Sequence, residues 1–126
     1  MLQQFPDAPL HVYVVWVPVL SRMSPEGLTG AARASAQRLS DRRIQHYRDD
    51  EALLAERFAP ALGLPEDVLA WDVFLLFEPG TRWQEELPAP AFWMHQLDRG
   101  PPARRLDAGK LAAEVERLLA AQAQAK

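Results

Sequence analysis

The stretch HVYVVWV, residues 11–17, is β-branched or aromatic at every position from Val12 to Val17. A continuous apolar run of this length reads as a strand buried on both faces, the habit of a parallel sheet covered by helices. Pro18 ends its ladder because proline has no N–H to donate. Ser24-Pro25-Glu26 then read as N-cap, N1 proline and acidic first turn of a helix. That helix carries Leu28, Ala32, Ser35 and Leu39 on one stripe, with Gly27 and Gly30 weakening its first turns.

Downstream, Arg43–Arg48 (RIQHYR) reads as a short edge strand, and Asp49 or Asp50 as the cap of a second helix. The apolar face of this helix is read as Leu53, Leu54, Phe58, Ala61 and Leu62. Gly63 is placed as its C′ residue, Pro65 blocks continuation, and Pro60 is expected to kink or shorten its last turn. Trp71–Phe77 (WDVFLLF) is the second strong strand, stopped by Pro79-Gly80. The proline-rich stretch that follows holds one more strand, Phe92–Leu97. Asp107 caps a last helix with Leu111, Val115, Leu118 and Leu119 on one face, ending in the tail 122–126. The order β-α-β-α-β-β-α gives an α/β layer architecture in one domain, 1–126, with its core at about 11–121.

Composition narrows the function classes. The chain has 126 residues, 48% hydrophobic and 25% charged, and a formal charge of −3. That balance argues against nucleic acid as a partner. A local basic cluster of Arg33, Arg38, Arg42, Arg43 and Arg48 reads as a solvated face, with an anion or partner site as the alternative. Nothing approaches the roughly 20 apolar residues of a membrane span. The start has no basic n-region or small-residue cleavage site, so the expected location is cytoplasmic. Cysteine is absent, which removes disulfides, thiolate catalysis and thiolate-bound metal together. No nucleophile elbow, P-loop or dinucleotide fingerprint occurs. No cofactor is expected.

Three passages resemble the thioredoxin-like superfamily, in particular the TlpA-like thiol-disulfide oxidoreductases and their peroxiredoxin relatives. VYVVWVPVL is similar to the strand after the family's redox helix. HYRDDEALLAERFAPALGL is similar to its strand, Asp, turn and helix ending in Gly, and WDVFLLFEPGTRW to the strand and turn before its last hairpin and C-terminal helix. The resemblance implies a thioredoxin-like, incomplete mixed sheet. In that register the C-x-x-C motif and the central strand that bears it fall upstream of Met1. The family's cis-proline position, just before Val73, reads Ala70-Trp71-Asp72. Two strands made for burial would then face a gap whose unpaired backbone groups cost about 1–3 kcal/mol each. Direct pairing of the two strands, a strand from a second copy or upstream sequence would have to fill it, so a homodimer is expected.

The candidate binding residues are Trp71, Asp72, Trp83, Trp93 and His95. They mix aromatic anchors with two polar groups near the family's active-site edge, and their expected role is recognition of a partner or small ligand. Asp72 stands out as a carboxylate interrupting an apolar strand, which needs a partner or a raised pKa. His11, His46 and His95 are scattered without metal-ligand spacing, although His95, Asp72 and His46 are ligand types suited to zinc. The expected function is a Cys-free, non-catalytic binding or assembly module. The alternatives are the C-terminal part of an oxidoreductase whose thiols lie upstream or on a partner, and a small metal-dependent or acid–base enzyme using Asp72 and His95.

Overall fold

The computed structural model describes residues 1–18 and 25–126, the side chains at 25, 28 and 31 excepted. The expected Ser24 cap and the place of Leu28 on its helical stripe lie outside the described residues. The chain divides into two compact units, Pro9–Glu56 and a second made of Met1–Ala8 with Arg57–Lys126. The element order β-α-β-α-β-β-α is the one read from the sequence, with short 3-10 helices added at Leu2–Gln4 and Pro102–Arg104.

The Pro9–Glu56 unit is a β-α-β crossover. Strand β1 (Val12–Trp16) runs parallel to β2 (Ile44–Arg48), from Val12↔Ile44 to Trp16↔Arg48. Helix α1 (Pro25–Arg38) connects them, because two parallel strands cannot be joined by a tight turn. The expected burial of β1 on both faces does not occur. None of its residues is fully buried, and Tyr13 is 58% exposed. Among the described residues of this unit the sheet has two strands, so each has one neighbour and neither is enclosed.

Helix α2 (Leu53–Ala61) follows β2 after Asp49 and a short turn at 50–52. The two carboxylate oxygens of Asp49 accept the N–H groups of Leu53 (3.0 Å) and Leu54 (2.8 Å), satisfying donors that have no partner within the helix. Ala52 turns the chain into the helix at φ +57°, a left-handed conformation unfavourable for a residue with a Cβ. Pro60 sits in the last turn without ending the helix early. The end is a Schellman motif: Leu64 N–H donates to Ala59 C=O, Gly63 N–H donates to Pro60 C=O, and Gly63 takes φ +68° as C′. The buried face is Ala55, Phe58, Ala59 and Leu62, whereas Leu53 is 54% exposed and Ala61 is exposed. The apolar stripe is therefore rotated from the one read in the sequence, with small alanines inward in place of the first leucine.

In the second unit, β3 (Val73–Leu76) and β4 (Phe92–His95) pair antiparallel, Val73 opposite His95 and Leu76 opposite Phe92. Both are shorter than the sequence suggested. Among the described residues the strands form two sheets of two strands, one in each unit, each between strands consecutive in sequence. Helix α3 (Ala108–Gln124) packs on β4. Asp107 is its N-cap, accepting the Lys110 N–H at 2.9 Å. Leu111, Val115 and Leu118 are its buried stripe, and they share the unit's core residues with Phe58, Leu62, Leu64, Trp93, Met94 and Leu97. Among the described residues no helix is long and apolar enough to cross a membrane.

Candidate functional site

The antiparallel hairpin of the second unit separates the candidate residues. Trp71 and Asp72 precede β3, and His95 lies on β4 at the same end of the ladder, whereas Trp93, opposite Leu75, is one position from the other end. Trp83 belongs to the connection 77–91 at the other end. A four-residue strand spans about 13 Å, and Trp83, packed on Phe77 just beyond β3, belongs to the end away from Asp72 and His95.

Asp72 lies outside the strand that it was expected to interrupt. It occupies a left-handed turn at φ +46°, a conformation Asp tolerates better than most residues, and its C=O accepts the Gln96 N–H at 3.0 Å. The backbone of Asp72 thus closes the open end of the hairpin. Among the described residues its partly exposed carboxylate makes no hydrogen bond or ion pair. Trp71 beside it is 41% exposed.

His95 is completely buried, and its ring is bonded on both sides. Leu97 N–H donates to Nδ1 at 3.0 Å, so Nδ1 carries no proton. Nε2 lies 2.8 Å from the Pro101 carbonyl, which can only accept, so Nε2 holds the proton and donates it. The backbone C=O of His95 also accepts the Leu106 N–H at 2.8 Å. A Cβ built on Gly100 would stand 2.3 Å from Cε1 of the imidazole, so glycine is what lets the loop close over the ring. The imidazole is a clasp that fastens the loop 97–101 to β4. With both nitrogens engaged, it offers a ligand neither a lone pair nor a proton, and the geometry does not suit the zinc or acid–base role considered for it. Among the described residues no group of three potential metal-ligating side chains is assembled.

Trp93 is also turned inward. Its ring centroid lies 5.9 Å from that of His95, and the Arg104 guanidinium stands 5.1 Å from the Trp93 ring and 5.7 Å from that of Phe92. Arg104 Nη1 donates to the Trp93 carbonyl at 3.2 Å, so a cation–π contact and a hydrogen bond hold one guanidinium in place.

Trp83 faces outward. It contacts Phe58 and Phe77 in T-shaped arrangements, with centroids 5.4 and 5.5 Å away, yet remains 45% exposed. Its connection is long for a hairpin, and long ordered connections are where binding residues concentrate. It is also fastened. Gly80 turns at φ +81°, Thr81 Oγ1 donates to the Glu78 carbonyl at 2.7 Å, and Arg57 donates to the Glu85 carbonyl. A cavity of about 490 Å³ opens along Arg82, Gln84, Glu85, Glu86, Leu87 and Pro88. The sequence reading had Trp83 but missed its supports Phe58, Phe77 and Arg57. The distance between the two strand signals, with aromatic residues at 77 and 83 inside it, was the available clue.

In the Pro9–Glu56 unit two arginines of the basic cluster, Arg43 and Arg48, are paired with carboxylates. Two side-chain hydrogen bonds from Arg43, at 3.0 and 2.6 Å, and one from its backbone N–H hold the Asp41 carboxyl at a pKa of about 2, below its ordinary 3.8. Arg48 binds Asp50 through Nε and Nη2, and Thr29 Oγ1 through Nη1. Arg48, Arg33, Glu26, Thr29 and Gly30 line a cavity of about 340 Å³ in which two guanidinium groups stand with one carboxylate. His46 is stacked on Trp16, accepts its indole N–H at Nδ1 (3.3 Å), and places Nε2 at 3.4 Å from the Leu39 carbonyl.

No protein-family model, curated protein or solved structure matches the chain.

The clasp yields a quantitative expectation. His95→Ala removes two buried hydrogen bonds and should cost about 3 kcal/mol or more of stability. Gly100→Ala should cost about 1–3 kcal/mol through overpacking against the ring. In the His95→Ala background the second change should cost almost nothing, a coupling of about 1–3 kcal/mol in urea unfolding. Additive effects would show that the ring and the loop are independent.

Proposed function

We propose that the chain is a thioredoxin-like domain without redox thiols that acts as a non-catalytic binding module. The observation that carries this reading is the pairing order: a parallel β-α-β unit, then a helix, an antiparallel hairpin and a closing helix, in a chain with no cysteine. The family's central strand, redox helix and following strand also form a β-α-β succession. We therefore move the resemblance by one unit from its first register, so that β1 answers to the strand bearing the redox motif and α1 to the redox helix. The family's site position then falls between Pro18 and Pro25, a stretch outside the described residues apart from its ends. In sequence it holds Ser21 and Ser24, at the C-x-x-C spacing. A hydroxyl has no accessible two-electron couple with a second hydroxyl, so the redox function is lost and recognition remains. Where the family places a cis-proline, this chain turns with the left-handed Asp72.

Installing the missing thiols tests the reading. Ser21→Cys with Ser24→Cys should give a first thiol whose pKa falls below the free value of about 8.5, and a disulfide with a potential between about −270 and −120 mV. A first thiol that titrates as a free cysteine would overturn the assignment.

Assembly with a second copy belongs to the same proposal. Its support is that among the described residues each sheet has two strands, so that each unit carries edge strands, and that Tyr13 and Tyr47 (rings 6.1 Å apart) are 58% and 50% exposed on one face of the β1–β2 sheet. Sedimentation equilibrium at micromolar concentration should give twice 14.2 kDa. Tyr13→Arg should return it to the single mass, and a single mass for the unaltered chain at every concentration would reject the dimer.

A further inference from the structure

We propose that the surface around Trp83, on the connection between β3 and β4, docks a basic segment of a partner protein, with a lysine or arginine side chain seated on the indole. This rests on the reading of the chain as a binding module and names the surface and the chemistry of its occupant.

Two observations converge. The first is rigidity: Trp83 is braced by Phe58, itself 4% exposed, and by Phe77, while Arg57, Thr81 and Gly80 fasten the loop on either side. An aromatic surface fixed before binding loses little entropy when a partner arrives, which is what makes tryptophan an effective anchor. The second is charge. Residues 77–91 contain Glu78, Glu85 and Glu86 against Arg82 alone, and all four are exposed. With the neighbouring Arg57, whose guanidinium is held at the Glu85 carbonyl, the patch has three carboxylates to two guanidinium groups, an excess of one negative charge. A half-exposed indole among excess carboxylates attracts a cation to its π face and holds it by Coulomb attraction as well. The cavity of about 490 Å³ beside it, with Leu87 and Pro88 in its lining, gives room for an adjoining apolar side chain. The same unit already uses this chemistry internally, where Arg104 lies over Phe92 and Trp93.

The test is a titration of the full chain, followed by NMR of indole and backbone N–H groups, with a capped hexapeptide of alternating leucine and lysine. Its leucine–glutamate counterpart is the control. The lysine peptide should move the Trp83 indole and the amides of Arg82 and Gln84, and the glutamate peptide should not. Glu85→Gln with Glu86→Gln should weaken binding by about threefold, and Trp83→Ala by about tenfold as read at the Arg82 and Gln84 amides. Trp83→Phe, which keeps a ring against Phe58 and Phe77, guards against loss of the loop structure and should fall between the two. Equal response to both peptides, or response to neither, would overturn the proposal. So would Trp83 shifts that depend on protein concentration without peptide, since a second copy would then be the occupant. Lysine-peptide shifts confined to residues outside 77–91 would overturn this surface and leave the binding-module reading standing. Failure of the thiol pair would remove the family reading without altering the peptide result.

Discussion

The second unit depends on a buried imidazole. His95 ends β4, pairs with Val73 across the ladder, and holds the returning loop through Leu97 and Pro101. Its carbonyl accepts the Leu106 N–H next to the Asp107 cap of α3. One residue thereby fixes the end of the strand, the close approach of Gly100 and the entry to the last helix. Neutral imidazole is suited to this because it presents one donor and one acceptor on opposite sides of a flat ring. Each bond left unmade in such a dry place would cost about 1–3 kcal/mol, so the arrangement is all or nothing.

That constraint divides the aromatic residues by role. Trp93, with Arg104 bonded to its carbonyl and stacked on its ring, belongs to the interior with His95. Trp83 is held by equally definite contacts but on a connection that leaves nearly half of it to solvent. The rigid hairpin thus carries a braced aromatic surface at the end opposite the clasp.

The parts legible in the sequence were those decided locally. Asp107 and Gly63 act through neighbours within a few positions, and both sit where cap chemistry put them. The burial of β1 was misread because an apolar run specifies that a strand prefers contact, not how many strands its sheet contains. Leu53 looked like core by type, yet the turn at Ala52 sets the phase of α2 and points Ala55 and Ala59 inward instead. Asp72 looked like a buried strand carboxylate because its left-handed backbone leaves no mark on the alternation pattern. His95 was visible as a polar residue in an apolar strand, but its partners are a backbone N–H and a backbone C=O, which no residue type announces. Gly100 was the hidden signal.

The most direct measurement is the tautomer of His95, read from the two ring nitrogens by nitrogen-15 NMR at neutral pH. The account predicts a single neutral form with the proton on Nε2 and a non-protonated Nδ1 coupled through the hydrogen bond to the Leu97 amide. A proton on Nδ1, or a mixture exchanging with water, would contradict the clasp and return His95 to the set of groups free to bind a ligand.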